Sequence, residues 1–161
     1  MNRSGRFRLA KPSDALAIAT LAGELGYPTS PEGMTERLHN LLADRRHLVA
    51  VATRAGDSVV GWIHAYLVQL IEADLRVEIG GLVIGTAHRR QGLGTALVSA
   101  AAQWGVEAGA RGLTVRCNSN RPDAHHFYRR FGFTLTKEQL VFRHPLPTHV
   151  PLPSARRLSE L

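Results

Sequence analysis

A chain of 161 residues with 44% hydrophobic content is long enough for one well-filled core and short for two. A net charge of +7, from 20 Lys and Arg against 13 Asp and Glu, favours acidic ligands, but the arginines are scattered and build no continuous basic arm or zinc-finger spacing. The single Cys117 excludes an internal disulfide framework, no apolar run approaches the ~20 residues that cross a bilayer, and no apolar signal segment follows Met1-Asn2-Arg3-Ser4, so a cytoplasmic protein without membrane or nucleic-acid partners is expected.

Phe7 to Ala10 alternates and reads as a short strand. Pro12-Ser13-Asp14 then marks a helix start with Ser13 as its cap, and apolar residues at 15, 18, 22 and 25 keep helical spacing until Gly26. Ser30-Pro31-Glu32 opens a second helix, with Met34, Leu38, Leu41 and Leu42 on one face, to about Asp44. His47 to Thr53 and Ser58 to Val68 are rich in Val, Ile and aromatic residues around the turn Ala55-Gly56-Asp57, which predicts an antiparallel hairpin. A third strand runs from about Leu75 to Ile84, and Gly80-Gly81 within it marks a bulge or a close approach where the sheet opens.

Arg89-Arg90-Gln91-Gly92-Leu93-Gly94 separates that strand from an amphipathic helix, Leu93 to Trp104. A strand, a Gly-rich turn and a helix start make an anion site, because the first N–H groups of a helix have no internal partner and point outward. Without a Cβ at 92 and 94 a diphosphate can approach the main chain, and the two arginines add charge. The spacing is neither that of a Walker A loop nor that of a dinucleotide fingerprint, whose third glycine would stand where Leu97 does. Leu113 to Cys117 alternates as a further strand. Asn118-Ser119-Asn120 with Pro122 opens a last helix, with Ala124, Phe127, Tyr128 and Phe131 on one face up to Gly132. Phe133 to Leu135 and Leu140 to Arg143 are predicted as closing strands. Four of the eight prolines then lie at 145, 147, 151 and 153, so residues 1–144 read as the domain and 145–161 as a Pro-rich tail.

The Arg-x-x-Gly-x-Gly spacing at 89–94 resembles the acyl-CoA-binding loop of the GNAT family of N-acetyltransferases. Asn118, Ala124, Phe127-Tyr128 and Phe131-Gly132-Phe133 resemble that family's late Asn...Ala...Tyr...Gly-Phe segment, and the element order over Phe7 to Arg143 is similar to the family's. The resemblance implies an α/β fold with a mixed, mostly antiparallel central sheet, flanked by about four helices and splayed near the strand before the loop. It also implies acetyl-CoA as co-substrate, no metal, and direct transfer of acetyl to an amine acceptor. Cofactor contacts would come from Leu82, Val83 and Ile84 by main-chain pairing with the pantetheine arm, from Arg89, Arg90, Gln91, Gly92, Leu93, Gly94 and Thr95 around the diphosphate, and from Asn118.

Tyr128 is the candidate acid for the leaving thiolate, or else a core aromatic whose hydroxyl finds a rim partner. Deprotonation of the acceptor matters because an alkylamine of pKa near ~10.4 is free base in about one molecule in a few thousand at neutral pH. Glu78, eleven residues before Arg89, stands where the histone-acetylating branch of the family has a catalytic Glu. The competing reading is a solvated strand-face carboxylate paired with an arginine. His39, His47, His64 and His88 lack metal-site spacing, His125 and His126 read as solvated or structural, and Cys117 reads as a buried strand thiol. Trp62 and Trp104 read as core or dimer-face aromatics, which leaves a homodimer open. Tyr27, Glu32, Glu72 and Asp74 are candidate amine-attracting groups on the acceptor side. A non-catalytic acyl-CoA sensor and a basic nucleic-acid-binding domain are the rival classes.

Overall fold

A computed structural model describes residues 6–146. Five strands form one sheet in the order β1 (Arg6–Leu9), β2 (His47–Thr53), β3 (Val59–Leu70), β4 (Ala73–Ile84), β5 (Gly112–Val115). Neighbours are antiparallel except β4 and β5, which run parallel because helix α3 (Leu93–Glu107) intervenes between them. Strand alternation sorts the apolar side chains to two faces. Val49 and Val51 meet Ile18 of α1 (Ala15–Leu25) and Leu38 of α2 (Pro31–Ala43), whereas Ile63, Ala65, Val77 and Ile79 meet α3 and α4 (Pro122–Phe131). The result is the expected mixed, mostly antiparallel sheet between two helix pairs.

The glycine pair in β4 explains where the sheet opens. His64 pairs with Gly81 and Ala65 with Ile79, so Gly80 is the extra residue of a bulge. The aromatic residues of β3 lie over this stretch: a Cβ would stand 2.8 Å from Trp62 Cζ3 at Gly81 and 3.0 Å from His64 Nδ1 at Gly80. β5 pairs with Arg76 to Ile79 and then leaves, so residues 81–84 have β3 on one side and, among the described residues, no strand on the other. The bulge also reverses parity. Glu78 pairs with Tyr66 and Gly81 with His64, which puts Glu78 on the face of Gly81 and Val83 and not on that of Leu82 and Ile84.

Several local expectations are corrected. Ser30 caps α2 as predicted, accepting from Gly33 N–H at 3.0 Å, but Ser13 caps nothing. Asp14 takes the turn instead, accepting from Lys11 N–H at 2.7 Å and binding Arg8 of β1 through both oxygens at 2.7 and 3.0 Å. Residues 133–146 hold no strand: Leu140, Val141 and Phe142 are 84, 75 and 88% exposed, and strand-forming side chains without a hydrogen-bonded neighbour do not make a strand. β5 ends at Val115, which leaves Cys117 exposed beyond it. The Pro-rich tail lies, past residue 146, outside the described residues.

The Asp14 pair gives a stability prediction. Burial pushes the Asp14 carboxyl up, but hydrogen bonds from Arg8 and from Lys11 N–H outweigh it and hold the group below the usual carboxylate range. A depressed folded-state pKa stabilises the fold above the unfolded value and is lost as pH falls through the folded value. Asp14→Asn is therefore expected to cost about 1.5–3 kcal/mol at pH 7, the range for hydrogen bonds to charged groups. It is also expected to flatten the loss of stability below about pH 4. Urea unfolding at pH 7 and at pH 3 checks both.

Candidate functional site

The loop after β4 is built to leave amide hydrogens free. Arg89 Nε donates to Ile84 O at 3.0 Å, folding the chain back on the strand end, and Arg54 of the β2–β3 connection donates to Gln91 Oε1. Arg90 has φ of 59°, in the left-handed region that a non-glycine residue enters at a cost of about 1–2 kcal/mol, and Gly92 has φ of 78°. No side chain caps the start of α3. The first amides of a four-turn helix thus face outward between exposed Arg89 and Arg90. A Cβ at Gly92 would meet nothing within 4 Å, so the space in front of the turn is open, while a Cβ at Gly94 would stand 3.3 Å from the Phe127 ring of α4. These features fit a diphosphate: partial positive charge, close main-chain access and flanking guanidinium groups. Leu82, Val83 and Ile84 lead into the loop along the unpaired edge of β4, where an extended arm can add as a strand.

Tyr128 of α4 packs into the core cluster that α3 and the sheet form. Its ring contacts Phe127 and Phe133 edge-on at 5.1 and 5.3 Å, and the residue is 9% exposed. Burial, with Cys117 acting in the same direction and Arg121 against it, pushes the hydroxyl well above the usual tyrosine range, so it keeps its proton. Its hydroxyl meets no hydrogen-bond partner among the described residues, which leaves it available as a donor. Neighbouring atoms desolvate the thiol of surface-exposed Cys117 enough to raise it, against the influence of Arg121, so Cys117 is a poor nucleophile. Asn118 shapes the entrance of α4: its carbonyl accepts from Arg121 N–H at 3.2 Å and is 2.9 Å from His125 Nε2. Leu93 and Thr95 divide in role, the first buried in the core and the second exposed at the start of α3.

On the opposite face of the sheet Glu78 is buried, 4% exposed, and not solvated. Oε1 accepts from Tyr66 Oη at 3.1 Å and lies 3.0 Å from Arg116 Nε, and Oε2 accepts from Arg116 Nη2 at 3.1 Å. Burial and the Glu78 charge raise the Tyr66 hydroxyl above its ordinary value. His47, His64 and Tyr66 lie side by side beside this pair, with ring planes within 30° of parallel. Spacing along the chain raises His47 and His64 only as metal ligands. The available signal was the alternation Trp62, His64, Tyr66, which puts three ring systems on one strand face. The candidate amine-attracting groups Tyr27, Glu32, Glu72 and Asp74 lie on three separate parts of the fold. Glu32 opens α2, Tyr27 is exposed after α1, and Glu72 and Asp74 lie at the end of the β3–β4 hairpin remote from the loop. Among the described residues no three His, Cys, Asp or Glu side chains cluster as metal ligands, and no helix is long and apolar enough to cross a membrane.

Comparison with known proteins gives the same outline. The acetyltransferase (GNAT) family model matches residues 16–133. The chain is 31% identical over 143 residues to an aminoglycoside N(6')-acetyltransferase type 1 of Stenotrophomonas maltophilia, covering 86% of this chain and 92% of that protein. It is 34% identical over 120 residues to an aminoalkylphosphonate N-acetyltransferase of Salmonella typhimurium, covering 74% and 75%. Among solved structures, the aminoglycoside N-acetyltransferase AAC(6')-Iy in complex with CoA superposes with a TM-score of 0.80 over 91% of this chain and 98% of that one, at 15% identity. A transcriptional regulator from Bacillus halodurans superposes at 0.79 over 88% and 100%, at 24% identity.

Proposed function

Since the chain belongs to the acetyltransferase (GNAT) family, we propose that it is an N-acetyltransferase that passes acetyl from acetyl-CoA directly to the amine of a small-molecule or peptide acceptor. The observation that carries this reading is the uncapped start of α3 at Gly92, placed at the end of a β4 edge that β5 has vacated. In it, the amides of Gly92 to Thr95 and the flanking arginines hold the diphosphate of the co-substrate. The main chain of Leu82 to Ile84 aligns the pantetheine arm, and Asn118 contacts it from the start of α4. An N–H of the β4 edge polarises the thioester carbonyl. Tyr128 donates its proton to the departing sulfur, and an acyl-enzyme on Cys117 is unnecessary. Glu78 lies on the acceptor side, where it anchors Tyr66 and Arg116 and orients the polar face that the amine meets.

Release of free thiol from acetyl-CoA, followed across a panel of amines, tests the proposal. Aminoglycosides and aminoalkylphosphonates head the panel because the two relatives are named for them. Acceptor-dependent thiol release, with one acetamide formed per thiol, is the expected result. Acetyl-CoA binding without release for any acceptor would favour the non-catalytic sensor instead.

A further inference from the structure

The face of the sheet toward α1 and α2 carries a chain of titratable side chains that ends at the bulge. His47 Nδ1 and His64 Nε2 are 2.9 Å apart, so one hydrogen lies between them. His47 Nε2 is 3.8 Å from Asp44 Oδ2, and Asp44 is itself fixed by Arg46 N–H at 2.8 Å. The other ring nitrogen of His64 points at Gly80, where a Cβ would stand 3.0 Å from it. Gly80 is exposed and marks the place where β5 has left β4.

We propose that Asp44, His47 and His64 form a relay that removes the proton an attacking amine must lose, with His64 Nδ1 as the receiving atom. This rests on the acetyltransferase reading and adds to it the group that takes the proton. A neutral imidazole has one N–H, and the partner of one nitrogen decides which. The Asp44 carboxylate, at 3.8 Å beyond hydrogen-bond distance, favours the hydrogen on His47 Nε2 through its charge. His47 Nδ1 is then bare and accepts from His64 Nε2–H, which leaves His64 Nδ1 without a hydrogen beside exposed Gly80, whose lack of a side chain keeps that nitrogen uncovered. The logic is that of a base biased toward one tautomer by the charge of a carboxylate at the surface, with a second imidazole between them. Glu78, on the same face, has both oxygens engaged by Tyr66 and Arg116 and holds the Tyr66 ring against His64.

Burial, and His47 after it, lower the His64 pKa to about 4, so its lone pair is free at neutral pH. The titratable and charged groups around His64 on this face are Tyr66 on the same strand, Glu78 on β4 and the arginines that answer it, Arg116 of the segment after β5 and Arg76; Arg8 and Asp14 pair with each other farther along it, at β1. A base this weak does not strip a free alkylammonium, but it takes the proton of a nitrogen whose lone pair has already been given to carbon. The amine lone pair forms the C–N bond, and the C–S bond breaks with its electron pair staying on sulfur. The nitrogen's proton goes to His64 Nδ1 as the Nε2 proton moves to His47 Nδ1 and the half-buried His47 ring gives its Nε2 proton to solvent beside the Asp44 charge. Sulfur takes the Tyr128 proton, and solvent restores it.

Imidazole nitrogen NMR on the free protein and kinetics with an acceptor from the amine panel test the relay. The spectrum is expected to show His64 with hydrogen on Nε2 and bare Nδ1, and a mixture of tautomers in Asp44→Asn. His64→Gln keeps a donor toward His47 and removes the receiving atom. It is expected to lower kcat about a hundredfold at unchanged acetyl-CoA affinity, with a smaller loss for acceptors of low amine pKa, a dependence that a merely structural role would not produce. Asp44→Asn, at a half-exposed position, tests the relay even where His64→Gln fails to fold, and is expected to lower kcat about tenfold. A hydrogen on His64 Nδ1, or turnover within about threefold of wild type in both variants, overturns the relay and leaves the acetyltransferase standing. Thiol release from no amine by the wild type overturns both.

Discussion

Gly92→Val is expected to weaken coenzyme A binding by about a hundredfold to ten-thousandfold, with fold stability lowered far less. Two effects of the substitution separate cleanly. Gly92 has φ of 78°, so any L-residue there is strained by about 1–2 kcal/mol, and a β-branched one most of all. Its Cβ would meet no protein atom within 4 Å, so the valine methyl groups project into the open space in front of the α3 amides. That space is where a diphosphate would lie. Loss of two charge-assisted hydrogen bonds, at about 1.5–3 kcal/mol each, gives the stated range. Gly92→Ala is the control: it shares the backbone strain and lacks most of the bulk. Calorimetric titration with coenzyme A should rank the affinities wild type, then Ala, then Val, while the melting temperatures of the two variants stay close to each other. Equal affinity in Val and wild type would place the diphosphate elsewhere and remove the footing of the acetyltransferase reading.

This loop was legible in the sequence because its geometry is local. Gly92 must be left-handed, Leu93 and Leu97 must be buried, and both demands show in spacing along one stretch. The opening of the sheet was legible for a similar reason, as two adjacent glycines in an apolar strand have few other uses. What escaped depends on long-range partners. Arg116 is 38 positions from Glu78, and whether that carboxylate is solvated or locked was decided by where β5 ends. The single extra residue at Gly80 moved Glu78 to the other side of the strand from Leu82, and no count along β4 alone fixes a bulge to one position. His47 and His64 meet because β2 and β3 pair in a register that sets His47 opposite Tyr66 and Val49 opposite His64. At the other end of the chain, residues 133–143 have the composition of strands, but a strand is a property of a pair, and these side chains have no partner strand among the described residues.

Tyr128→Phe is expected to lower kcat about a hundredfold to ten-thousandfold while leaving the KM for acetyl-CoA and the fold nearly unchanged. The stability half of this follows from packing. The ring lies edge-on to Phe127 and Phe133, contacts that phenylalanine retains, and the hydroxyl gives up no hydrogen bond among the described residues. The cost to stability is then below about 1 kcal/mol. The chemical half follows from proton affinity. A thiolate leaving in a desolvated cleft needs a proton at the moment the C–S bond breaks, and a tyrosine whose hydroxyl is raised by burial still carries one throughout the neutral and mildly alkaline range. The pH profile separates this role from that of an ordinary surface tyrosine: wild-type kcat should not fall on the alkaline side near pH ~10, where an unperturbed phenol ionises. Turnover of the Phe variant within about threefold of wild type, at matched melting temperatures, would leave Tyr128 as a core aromatic and transfer the protonation of sulfur to solvent.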